Sequence, residues 1–127
     1  IAVVVFINPQ KASASQGGAV TVTATSNYVL DDSHNVDISI TAYVEYAYDE
    51  GAYGWVINII PQSWSKTSDN VTIDNMDYAD DYGYTTSTAT YIFYYTAHAA
   101  YGEGNYDGYV RFNFSVDEWG DINYWLD

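Results

Sequence analysis

The sequence predicts an all-β fold: a single immunoglobulin-like or jelly-roll-like two-sheet sandwich of about seven to eight strands. Three observations predict it. Side-chain polarity alternates with period two along most of the chain. The alternating stretches are separated by short runs rich in Gly, Asp and Asn, the residues that close turns. No stretch keeps a helical period.

Taken in order, the chain divides into an apolar N-terminal strand over residues 1–10, a linker over 11–18, and a sandwich body over 19–127. In the body, Val20, Val22 and Ala24 share one face, with Thr21, Thr23 and Thr25 on the other. From Val36 to Tyr48 the pattern is longer. Val36, Ile38, Ile40, Ala42, Val44, Tyr46 and Tyr48 point one way, and Asp37, Ser39, Thr41, Tyr43 and Glu45 the other. Asp49 to Gly54 reads as a hairpin connection into a strand over 55–60, which Pro61 is expected to end. Val71–Ile73 predicts a short strand.

A long Thr- and Tyr-rich strand follows over 85–101. Thr88, Thr90, Ile92, Tyr94 and Thr96 lie on one face, and Ala89, Tyr91, Phe93, Tyr95 and Ala97 on the other. Aromatic residues on both faces place it centrally or under cover on both sides. The run Gly102 to Gly108 is expected to turn the chain, with Asp107-Gly108 as the hairpin signal. Tyr109–Val116 returns with Val110, Phe112, Phe114 and Val116 inward and Arg111, Asn113 and Ser115 outward. Ile122–Leu126 makes a last short strand.

Composition narrows the functional classes. The 127 residues contain no cysteine, so disulfides, thiol catalysis and cysteine-held metals are excluded. Three basic residues, Lys11, Lys66 and Arg111, stand against 17 carboxylates, for a net charge of −14. A nucleic-acid partner needs a basic footprint, and this chain has none. No apolar run approaches the roughly 18 residues of a membrane span, so no transmembrane segment is expected. The first residue is Ile rather than Met, so a leader is expected to have been removed and an extracellular or cell-surface location is inferred. The 15 Tyr and four Trp supply rigid amphipathic contact area, in the core or at a recognition surface.

The N-terminal strand breaks the alternation seen elsewhere. Ile1, Val3, Val4, Val5, Phe6 and Ile7 make it apolar on both faces, without a charge. Such a strand must be covered on two sides. It either pairs inside its own sandwich or acts as a donor strand that completes the sheet of the next copy. The small, polar, Gly-ended linker supplies reach. A head-to-tail contact of this kind does not close, and it propagates into a fibre.

An apolar N-terminal strand, a polar linker and a Cys-free, Thr- and Tyr-rich sandwich together resemble the subunits of donor-strand filaments of archaea and bacteria: archaeal threads, bundling pili and TasA-like biofilm fibres. The resemblance is one of layout over the whole chain, without a diagnostic motif. It implies a secreted structural subunit, a homopolymer, with a role in biofilm or surface adhesion.

Metal ligation is the strongest chemical suggestion. Glu103, Asn105 and Asp107 place oxygen side chains at alternate positions ahead of Gly108, as in the first half of a calcium loop. The pattern departs from that loop at position one, a Glu, and at position twelve, where Phe114 replaces the closing carboxylate. Asp74, Asp77, Asp80 and Asp81 form a second acidic run, and Asp31 to Asn35 a third. Calcium would offset the repulsion between stacked acidic copies. The plain alternatives are a hairpin turn and solvated loops.

No catalytic apparatus is legible, so an enzyme is not expected. His34 and His98 are the only histidines, and neither a Gly-x-Ser-x-Gly elbow nor a His-Glu-x-x-His motif occurs. Asn70-Val-Thr and Asn113-Phe-Ser are glycosylation sequons. The second functional class is a calcium-stabilised carbohydrate-binding module, with glycans stacking on Trp55, Trp64, Trp119, Trp125 and Tyr43.

Overall fold

The computed structural model describes residues 15–78, 87–99 and 104–127. Among them are seven strands and no helix: β1 Gln16–Asp31, β2 His34–Asp49, β3 Tyr53–Thr67, β4 Val71–Tyr78, β5 Thr88–Ala99, β6 Asn105–Val116 and β7 Ile122–Leu126. They form two antiparallel sheets, ordered β1-β2-β3 and β4-β5-β6-β7. The two-sheet sandwich of about seven strands is therefore observed. Within each sheet the strands follow chain order as a meander. No helix among the described residues is long and apolar enough to cross a membrane.

Alternation builds the core as expected. Val22 and Ala24 of β1 face inward beside Val36, Ile38, Ile40, Ala42 and Val44 of β2. Ala89, Phe93, Tyr95 and Ala97 of β5 and Val110, Phe112, Phe114 and Val116 of β6 supply the opposing layer. Leu126 of β7 closes the side. On the outer face of the first sheet, hydroxyls opposed in register pair across strands: Thr23 with Thr41 at 2.8 Å, and Thr25 with Ser39 at 2.7 Å. β5 is central, between β4 and β6. Its aromatic residues on two faces divide into inward Phe93 and Tyr95 and outward, half-exposed Tyr94.

Four expectations are corrected. The linker ends sooner, because Gln16, Gly17 and Gly18 already pair with Tyr48, Ala47 and Tyr46 as the start of β1. Gly18 fits there because the Tyr46 ring lies over it, and a Cβ would sit 2.6 Å from that ring. Pro61 does not end β3, which continues to Thr67. β3 is an edge strand, so the missing N–H costs no ladder bond on its open side. The chain also bulges there: Ala42 pairs with Pro61 and Thr41 with Ser63, which leaves Gln62 as the extra residue.

The strand at Val71 is longer than expected and runs to Tyr78. Asp107-Gly108 is not the β5–β6 turn. Both residues lie inside β6, paired with Thr96 and Tyr95. The chain reverses nearer Gly104, whose φ is +83° and whose carbonyl accepts from the Ala99 amide. Gly108 is required by packing, because the Tyr95 ring occupies the space of its missing side chain.

The β2–β3 hairpin ties the sheets together at one end. The Ala52 amide donates to the Asp49 carbonyl at 2.8 Å, and Gly51 takes the positive-φ third position. The Gly51 amide reaches across to the Glu118 carbonyl at 3.0 Å, in the β6–β7 turn.

Candidate functional site

The chemistry-bearing side chains collect along the sheet edges and outer faces. At one end, the β1–β2 turn is organised by Asp31. Its carboxylate accepts from the Ser33 amide at 2.8 Å, from His34 Nδ1 at 2.8 Å, and from the Tyr106 hydroxyl of β6 in the opposite sheet. The hydrogen bond from Tyr106, then those from Ser33 and His34, hold the Asp31 carboxyl well below the usual carboxylate range. The His34 and Tyr106 rings lie 6.2 Å apart. This set links the sheets. His98 is placed similarly, with Nδ1 2.6 Å from Asp74 of β4.

A second inter-sheet link lies farther along β1. The Tyr28 hydroxyl donates to the Asp127 carbonyl at 3.1 Å. Burial, reinforced by the nearby Asp127 charge, pushes the Tyr28 hydroxyl well above its ordinary range. Burial also raises Tyr95. Asp127 in turn accepts from Arg111 Nε at 2.7 Å, which raises the already high Arg111. Arg111 lies over the Tyr109 ring at 5.5 Å.

Four of the expected metal residues, Asn105, Asp107, Asp74 and Asp77, lie among the described residues. Asn105 and Asp107 lie at alternate positions of a straight strand, where side chains on one face stand about 7 Å apart. Asp107 accepts from the Thr96 hydroxyl at 3.1 Å. Asp74 is taken by His98, and Asp77 accepts from Asn75 at 2.6 Å. Asp80, Asp81 and Glu103 lie outside the described residues, as do Ile1, Val3, Val4, Val5, Phe6 and Ile7. Among the described residues, no group of three or more His, Asp or Glu is placed to hold a metal ion.

The two sequons differ from a free surface amide. Asn70 Nδ2 donates to the Ser33 carbonyl at 2.9 Å. Asn113 is on the outward face, as expected, but it is only 6% exposed. Its Oδ1 accepts from the Thr90 hydroxyl at 2.7 Å, and its Nδ2 faces the Arg111 and Trp125 carbonyls. A glycan on Asn113 would displace those contacts.

The tryptophans are spread over several elements. Trp55 and Tyr43 lie on the first sheet. Trp119 is in the β6–β7 turn, and Trp125 is on β7. Trp64 lines a shallow cleft with Pro61, Met76 and Phe93. An aromatic pair that sequence reading missed lies elsewhere. Tyr94 and Tyr109 face each other in register on β5 and β6, 48% and 51% exposed. The alternation of both strands carries that signal, but only the register places the two residues opposite each other.

The edges are the other feature missed. β7 pairs only with Phe112–Val116 of β6. Backbone pairing between Arg111 and Asp127 is the last contact on that side. Along Asn105–Val110, no described strand follows.

No family model matches the chain, and no curated protein or solved structure matches it.

Proposed function

We propose that this chain is a secreted structural subunit that joins its own copies by strand addition, building an extracellular filament of the pilus, thread or biofilm-fibre kind. The observation that supports it is that, among the described residues, both sheets end in edge strands, and those of the three-stranded sheet carry exposed apolar side chains. Val29 on β1 is 73% exposed and Ile57 on β3 is 50% exposed. An open edge presents unpaired N–H and C=O groups, a template for another strand. Ile1–Ile7 is an uncharged strand that needs cover on both faces. One copy donating while it also accepts gives a contact that propagates. With −14 on every copy, stacking calls for counterions, and calcium on the acidic runs is part of the proposal. Catalysis is not.

The test is electron microscopy and sedimentation of the full chain with and without millimolar calcium, beside Val4→Asp. Filaments from the full chain and monomers from Val4→Asp are expected. A full chain that stays monomeric in both buffers refutes the reading.

A second reading, a carbohydrate-binding module, is favoured by the Tyr94–Tyr109 pair. Two half-exposed tyrosines stand opposite each other in register, with Arg111, Asp107 and Thr96 at neighbouring positions, and aromatic rings are surfaces on which a sugar face stacks. A glycan array without hits, or hits unchanged by Tyr94→Ala, removes it.

A further inference from the structure

Resting on the carbohydrate-binding reading, we infer that the outer face of the four-stranded sheet is a track for a linear glycan that carries free amino groups. Strand register puts an aromatic row, a hydroxyl-lined cleft and unneutralised carboxylates on that one face.

Residues opposed in register in an antiparallel pair point to the same side of the sheet. Tyr94 of β5 opposes Tyr109 of β6, and Asn113 of β6 opposes Trp125 of β7. Tyr109 and Asn113 alternate along β6 with the buried Val110, Phe112 and Phe114, which face the core. Tyr94, Tyr109 and Trp125 therefore share the outer face, where they are 48%, 51% and 37% exposed. From Tyr109 to Asn113 the strand advances four residues, about 13 Å, and Trp125 lies one strand to the side, about 4.8 Å. A single sugar ring reaches one end of this row. A chain of sugars reaches both.

Beyond Trp125 the same face continues into the row Thr88, Ser115 and Asn123. These three line a cleft of about 360 Å³ with Ser87, Asp117 and Asp121. Hydroxyls, an amide and carboxylates are the donors and acceptors that sugar hydroxyls need. The aromatic row and the polar cleft are thus consecutive stretches of one surface.

Charge selects the kind of glycan. Arg111 is the one Lys or Arg on this face among the described residues, and Asp127 accepts from it at 2.7 Å. His98 is held by Asp74 at 2.6 Å. Asp77 opposes Tyr94, and Asp107 stands two residues before Tyr109. Their hydrogen-bond partners, Asn75 and Thr96, are neutral. Among the described residues, no ion pair reaches either carboxylate. An ammonium seated here gains both carboxylates and the faces of exposed tyrosines, while the sugar body beside it gains stacking. An anionic glycan meets repulsion from these groups and from the net charge of −14. A neutral glycan leaves Asp77 and Asp107 uncompensated.

The experiment titrates the full chain with a linear glucosamine hexasaccharide, its fully N-acetylated counterpart, and an oligolysine of the same charge. The amino hexasaccharide is expected to bind about tenfold or more tightly than either of the others, and more weakly as salt rises. Tyr109→Ala and Trp125→Ala should each weaken it about tenfold. The double variant Asp77→Asn, Asp107→Asn should do the same and flatten the salt dependence. Asp37→Asn with Glu45→Gln, on the outer face of the first sheet, removes equal charge and should change nothing. Urea midpoints confirm that each variant is folded, and the exposed carboxylate pair serves if an aromatic variant is not. Equal binding of the N-acetylated hexasaccharide overturns the amino-group selection and leaves a carbohydrate module standing. Equal binding of oligolysine, with the aromatic variants unchanged, reduces the face to plain charge attraction and overturns the inference. Binding of neither hexasaccharide overturns it too, and a glycan array without hits then removes the module as well.

Discussion

Adding one methyl group at Gly54 tests how the two sheets are held together. Gly54 is the second residue of β3, buried where the hairpin end of the first sheet crosses the end of β6. A Cβ there would lie 2.5 Å from the Asp117 carbonyl oxygen and 2.8 Å from that of Val116. Both are backbone atoms, so no side chain can swing aside. They are also anchored: Val116 donates to Ser87 at 2.9 Å, and Asp117 to Asp121 at 2.9 Å. The backbone of Gly54 is not in the left-handed region, so the cost of Gly54→Ala is steric. Overpacking of this kind costs about 1–3 kcal/mol, a fall in Tm of about 4–12 °C for a domain of this size. Gly17→Ala is the matched control, because the nearest atom to its added Cβ is 3.8 Å away. It should stay within about 0.5 kcal/mol of the parent. Thermal and urea unfolding followed by tryptophan fluorescence measure both. If Gly54→Ala is as stable as Gly17→Ala, the close approach of β3 to β6 is wrong.

Other outcomes follow from single contacts. Asn113→Ala leaves the half-buried Thr90 hydroxyl without its acceptor, and urea unfolding should show a loss of about 1–3 kcal/mol. Phe112→Ala empties a fully buried site and should cost about 3–5 kcal/mol on the same assay. The folded-state pKa of Asp31 is depressed, chiefly by the Tyr106 hydrogen bond. Its stabilisation is therefore present above the unfolded value of about 3.9 and lost as pH falls through the folded one. Asp31→Asn should flatten the acid loss of stability below about pH 4, and an unchanged slope would contradict the Tyr106 link. Tyr28 has the opposite sign. Burial raises it, so its contribution holds below the unfolded value of about 10 and is lost as pH rises beyond it. Tyr28→Phe should reduce the alkaline loss of stability, read from urea midpoints between pH 9 and 11.

Strand identity was largely legible because period two is a local signal. The inward sets of β2 and β6 are read from Val36 to Val44 and from Val110 to Val116 without tertiary information. The misreadings came where a local rule met a particular neighbour. Pro61 reads as a stop, yet an edge position tolerates it. Asp107-Gly108 reads as a turn, yet the Gly serves the Tyr95 ring across the ladder. Asn105 and Asp107 read as part of a turn, yet both lie at alternate positions within β6. Asn113 reads as outward and free, yet Thr90 and the strands beside it cover its amide.

The sequence by itself determined the class of fold, the two inner faces, the acidic Cys-free surface and the one segment that is apolar on both sides. Each of these depends on residue type and on spacing within a single strand. Only the tertiary structure decided which strands are edges, that β7 covers half of β6, and that Tyr28 and Tyr106 bridge the sheets beside the remaining half. Those features depend on pairing between strands far apart in the chain, where register and strand length set which backbone groups stay open. No local periodicity encodes that.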